Sequence, residues 1–161
     1  MTKMLSGLIA CLALTAQTAT TPGNLTITGD IPQALTLTKD DLAKLPRASV
    51  AWSESGPKVT YQGVLLYEVL KWAGAPLDEQ LSGKALATYV LAEARDGYQA
   101  VFALAEIDPA FTDNQIVIAD TAGGQPLTES QGPLRLIVGG DKKGARAVRM
   151  LNRLTLVRLR K

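Results

Sequence analysis

The stretch Gly132–Leu156, GPLRLIVGGDKKGARAVRMLNRLTL, constrains the fold more than any other part of this chain. It reads as a buried strand, a glycine-rich basic loop, a short helical turn and a second strand. Leu134, Leu136 and Val138 alternate with Arg135 and Ile137, the two-residue period of a strand. Gly139 and Gly140 break that period, and three cations and two small residues crowd into Asp141–Arg146. Such a loop suits an anion, because glycines let backbone N–H groups come close and the cations supply the field. The candidate anion-binding residues are therefore Lys142, Lys143, Gly144, Arg146 and Arg149.

Charge is distributed unevenly. Residues 141–161 hold eight cations and one anion, a net of +7 against +2 for the whole chain, so residues 1–140 carry −5. A positive end invites an anionic ligand or partner, with solvated surface cations as the plain alternative. Nucleic acid is not expected: aromatics make up 5% of the chain and none lies in the basic segment, so no stacking platform is offered.

Other residue types exclude whole classes of chemistry. The sequence has no histidine and one cysteine, Cys11. Ser-His-Asp catalysis and histidine metal sites are out of reach. Lys3 followed by the apolar run Met4–Thr15 and the small residues Ala13, Ala16 and Ala19 reads as a secretory signal over residues 1–19. Cleavage after Ala16 or Ala19 would leave a mature chain without any cysteine, with residues 20–161 expected as a single periplasmic or secreted domain and no transmembrane segment. Leu8-Ile9-Ala10-Cys11 leaves a lipid anchor at Cys11 as an alternative.

Along the chain, Leu25–Thr28 and Ala34–Leu37 flank a turn and read as a hairpin. Thr38 is a good N-cap for a helix Lys39–Leu45 that stops at Pro46. Ala48–Trp52 reads as a strand, Ser53–Lys58 as a loop and Val59–Tyr61 as extended chain. In Val64–Ala73 the residues Leu66, Val69, Leu70 and Ala73 form one helical stripe, with Glu68 and Lys71 spaced to pair and Gly74 placed to end the helix. Ala85–Ala94 and Tyr98–Leu104 read as strands around an Asp96-Gly97 turn. Gln115–Ala119 reads as a buried strand before a Gly123-Gly124 turn. Many short strands with a few short helices predict an α+β fold with mainly antiparallel or mixed sheets.

Three passages resemble the sulfite-oxidase-type molybdopterin-binding domain family. Tyr61–Leu70 resembles its W-x-G helix entry, Asp96-Gly97-Tyr98 its D-G-Y hairpin, and Gly132–Leu156 its closing G-x-P-L-R-L-V-V-P-G-D-K segment. The resemblance implies that family's fold and a loop that helps hold the pterin phosphate. It also implies a cysteine thiolate on molybdenum, after the strand that here is Ala48–Trp52. This chain has Ser53, Glu54 and Ser55 there, and a serine hydroxyl replaces a soft thiolate poorly. Exported holoenzymes of that family generally carry a twin-arginine leader, whereas this sequence has Lys3 and no Arg-Arg.

The expected function is an exported binding or accessory domain without molybdenum redox activity. No catalytic or metal-ligating residue is assigned. Ser53 and Tyr98 are the expected pocket residues, and the partner is a small anionic ligand or a protein. The aromatics Trp52, Tyr61 and Trp72 could mark a protein-interaction face, although ordinary core explains them better. No cofactor is expected, and the alternative is a molybdopterin-dependent oxidoreductase with non-cysteine ligation.

Overall fold

The computed structural model describes residues 23–160, so the signal segment and Cys11 lie outside the described residues. Two five-stranded sheets share the chain. The first is built from β1 (Leu25–Gly29), β2 (Leu35–Leu37), β5 (Thr88–Ala94), β6 (Gln99–Ala103) and β10 (Leu151–Arg158), in the order β2-β1-β10-β5-β6. The second runs β3 (Arg47–Trp52), β4 (Val59–Leu65), β7 (Ile116–Ala122) and β8 (Gln125–Pro126), with β9 (Arg135–Val138) also paired to β7. Only β1 and β10 pair in parallel; every other pairing is antiparallel. The expected α+β fold with mainly antiparallel sheets is therefore the observed one.

Helix α1 (Lys39–Ala43) starts as its sequence asks. Thr38 Oγ1 accepts the Asp41 N–H at 3.2 Å, and the Asp41 carboxylate accepts the Thr38 N–H at 3.0 Å. Helix α2 (Leu66–Trp72) buries Leu66, Val69 and Leu70, and Ala73 follows as its C-cap. Gly74 then takes φ +77°, the left-handed turn that glycine makes without steric cost. The helix starts two residues later than its periodicity predicts. Val64 and Leu65 belong to β4, because their backbones pair with Ile118 and Val117 of β7. The expected Glu68–Lys71 pair is also replaced: Lys71 Nζ turns to Asp78 Oδ2 at 3.2 Å and the Tyr67 hydroxyl at 3.0 Å. The strand expected over Ala85–Ala94 begins at Thr88, after a 3₁₀ turn over Gly83–Ala87.

The second sheet has a core on each side. Ile116 and Ile118 of β7 and Leu136 and Val138 of β9 join the main cluster with α2 and the first sheet. Val117, Ala119 and Ile137 face the other way, into a smaller cluster with Trp52, Tyr61 and Ala147. The period-2 alternation of β9 is real, but both of its faces are buried. Arg135 therefore cannot reach water, and its side chain is 1% exposed.

Close sheet packing makes one glycine indispensable. A Cβ on Gly63 would lie 1.9 Å from the Ile118 carbonyl oxygen and 2.6 Å from the Ala119 Cα. Gly63→Ala must force β4 away from β7, where the register already shifts between Gln62 and Gly63. We expect a loss of about 3 kcal/mol, read by urea denaturation, which is the range of severe core overpacking. A variant as stable as the wild type would refute that packing.

Candidate functional site

The end of β3, the start of β9 and the loop before β10 meet at one place. Arg135, at the head of β9, enters the smaller core. Its guanidinium lies 5.4 Å from the Trp52 ring centroid and 5.5 Å from that of Tyr61. Desolvated cation–aromatic contacts of this kind are worth up to about 2 kcal/mol each. They do not replace a counter-charge. That charge comes from Glu54, two residues beyond β3.

Glu54 Oε2 accepts from Arg135 Nη2 at 3.1 Å and from Arg149 Nη2 at 2.7 Å. Arg135 Nη1 also donates to the Tyr61 hydroxyl at 3.3 Å, while its buried Nε has no protein partner. The hydrogen bond from Arg149, then that from Arg135, hold the Glu54 carboxyl below its ordinary range. Gly144 leaves room for this group. A Cβ there would fall 2.9–3.1 Å from Glu54 side-chain atoms.

A cleft of about 360 Å³ opens beside the ion pair, lined by Glu54, Asp96, Tyr98, Gly144, Ala145, Ala147 and Arg149. The Tyr98 hydroxyl donates to the Ala145 carbonyl and ties the β5–β6 turn to the basic loop. With Asp96 and Glu54 set against Arg149, the cleft wall is not electropositive.

The remaining expected residues are placed as follows. Arg146 turns inward: Nε and Nη2 donate to Asp141 at 2.9 and 2.8 Å, and Nη1 donates to Glu106 at 3.0 Å. Its guanidinium also covers the Phe102 ring at 5.1 Å. Arg146 thus clamps the loop to β6. The two glycine N–H groups that open the loop are also engaged. Gly139 donates to the Gln115 carbonyl and Gly140 to Asn114 Oδ1, so neither turns toward an external anion. Lys142 and Lys143 are exposed.

Ser53 does not join Tyr98. Its hydroxyl donates to the Gly56 carbonyl at 2.8 Å. It lines a separate hollow of about 350 Å³ with Trp52, Lys58, Gly140 and Lys142. Glu54 and Arg135 went unassigned from the sequence. The available signal was one arginine between Leu134 and Leu136: in a strand buried on both faces it must find a carboxylate.

A family model described as the oxidoreductase molybdopterin binding domain matches residues 48–161. The crystal structure of the sulfane dehydrogenase SoxCD from Paracoccus pantotrophus superposes with a TM-score of 0.66 at 23% identity. That superposition covers 84% of this chain and 38% of the other, so this chain spans well under half the length of that one. No curated protein matches the chain.

The donor set here does not fit a molybdenum centre. Where the resemblance places a thiolate, Ser53 is hydrogen-bonded within its own turn and Glu54 is spent between two arginines. Neither is a soft ionised sulfur. Among the described residues, no group of three or more Cys, Asp or Glu side chains is placed to hold a metal ion.

A pH dependence follows. Because the folded-state pKa of Glu54 lies below the ordinary 4.5, its contribution is complete above that value and is lost as pH falls through the depressed one. At pH 7, Glu54→Gln should be about 1–2 kcal/mol less stable than wild type, the modest end for a half-exposed pair. Urea denaturation at pH 7 and pH 3 should show this gap closing in acid. A gap independent of pH would remove the ion pair as its cause.

Proposed function

This chain belongs to the oxidoreductase molybdopterin-binding domain family, and within it we propose an exported binding or accessory module that works without molybdenum redox chemistry. One observation carries the proposal. The stretch where the resemblance implies the metal's thiolate, Ser53–Ser55, holds no cysteine, and its carboxylate, Glu54, pairs with both Arg135 and Arg149. Export rests on the leader-like segment 1–19. Among the described residues no helix is long and apolar enough to cross a membrane.

Binding is then the work of the outward side of the loop. Of the five basic-loop residues, Arg146 and Arg149 are engaged by acids of this chain, and Gly144 gives Glu54 its room. Lys142 and Lys143 are exposed and have no carboxylate partner among the described residues, and Lys58 lines the Ser53 hollow with Lys142. They can hold an anionic group of a small ligand or of a partner protein as mobile point charges. Such contacts weaken with salt, since exposed charges are screened over about 10 Å at 0.1 M ionic strength.

Two measurements test this. Protein purified from its native host should begin after Ala16 or Ala19 by intact mass and contain no stoichiometric molybdenum or pterin. One molybdenum per chain would overturn the proposal in favour of a molybdopterin-dependent oxidoreductase with non-cysteine ligation. Titration with phosphate, nucleotides and pterins at low salt should give binding that the double substitution K142A/K143A weakens by roughly tenfold, about 1.4 kcal/mol. Arg146→Ala should lower the melting temperature and leave that affinity unchanged. Binding insensitive to the lysines would place the ligand elsewhere.

A further inference from the structure

We infer that Glu54 is the resident counter-ion of a built anion site: its carboxylate stands where Arg135 and Arg149 would otherwise hold an exogenous oxyanion, and the site is closed while Glu54 is there. This rests on the metal-free reading above and explains it from the chain's own residues.

The buried cation is fixed by the fold. Arg135 lies on a strand with a core on both faces, between Trp52 and Tyr61, and its side chain is 1% exposed. Burying a guanidinium without a counter-charge is costly, so the site favours an anion beside it. Nothing in the fold requires that anion to be covalently attached. Glu54 belongs to an exposed loop, and its side chain is 45% exposed, facing a cleft of about 360 Å³. Ser53 Oγ donating to the Gly56 carbonyl closes that loop's turn without using Glu54. Removing the carboxylate therefore leaves the backbone of the site standing.

The glutamate also fits incompletely. A single oxygen, Oε2, serves both arginines, and Arg135 Nε stays buried without a partner. A structural ion pair satisfies its buried donors; this one leaves a donor over. Gly144 completes the arrangement, because any larger residue there would press on the Glu54 side chain. Arginine pairs favour planar or tetrahedral oxyanions, which offer several acceptors at once. Sulfate is a suitable probe of the vacated site.

The experiment compares wild type, Glu54→Ala and the double variant E54A/R149A in sodium sulfate and in sodium chloride of matched ionic strength. In chloride, Glu54→Ala should melt several degrees below wild type. In sulfate it should recover most of that loss relative to wild type, whose own shift between the two salts sets the baseline for general salt effects and for the exposed lysines. Calorimetry should show sulfate binding to Glu54→Ala that weakens roughly tenfold or more in E54A/R149A, as expected for losing one charged hydrogen-bond donor. Should Glu54→Ala fail to fold, Glu54→Gln keeps the shape, removes the charge and should show the same preference for sulfate. The lysines at 142 and 143 are present in every variant and cancel in these differences.

Equal responses of wild type and Glu54 variants to sulfate would overturn the inference, as would a sulfate response unchanged by R149A. Either result leaves the metal-free reading intact. Molybdenum in the native protein would overturn that reading whatever the salts do.

Discussion

One buried cation organises one end of this protein's second sheet. Arg135 sits at the head of a strand that has a core on each side, so it cannot turn its charge to water. Everything near it answers that constraint. Trp52 and Tyr61 present ring faces, the Tyr61 hydroxyl accepts one hydrogen bond, and Glu54 reaches in from the loop after β3. The Trp52 ring that flanks it is itself held, Nε1 donating to the Asp141 carbonyl at 2.9 Å. The ends of β3 and β9 and the loop before β10 are thereby tied into one unit. Arg149 joins them by sharing the same carboxylate oxygen.

The parts of the fold legible in the sequence are those decided locally. Thr38 and Asp41 form their capping box within four residues. The apolar stripe of α2 buries as spaced, and the Asp96-Gly97 and Gly123-Gly124 turns join the strands they separate. What was not legible was decided at a distance. Val64 and Leu65 have helical spacing, yet pairing with β7, more than fifty residues away, holds them extended. Lys71 prefers Asp78 to its helical neighbour Glu68 because the chain turns back after Gly74. The alternation of Leu134–Val138 signals a strand, but the second core that buries Arg135 is built from β3, β4 and β7, so no local pattern shows it.

The candidate site divides along the same line. The loop Asp141–Arg149 was visible as a basic segment, and the structure sets it beside the β5–β6 turn. The carboxylates that engage its arginines were not visible, since Glu54 and Glu106 lie 95 and 40 residues away along the chain. Sequence charge overstated the field for that reason. Of the eight cations in residues 141–161, Arg146, Arg149 and Arg160 are each paired with a carboxylate of this chain.

On the metal-free reading proposed above, family membership and chemistry separate at this point. The scaffold is conferred by backbone pairing and apolar packing, neither of which depends on a metal. A pocket cation, by contrast, is defined by what neutralises it. A ligand that brings its own negative charge can occupy such a pocket only if the protein leaves the cation unmatched, and here Glu54 matches it from within. Exchanging an external anion for a tethered carboxylate changes one side chain in one loop. It preserves the fold around Arg135, keeps the buried charge compensated in the absence of any ligand, and moves the exposed positive charge outward to Lys142 and Lys143. On the proposed reading the same strand arrangement serves recognition at its rim, with the buried cation compensated by Glu54 whatever the cleft contains.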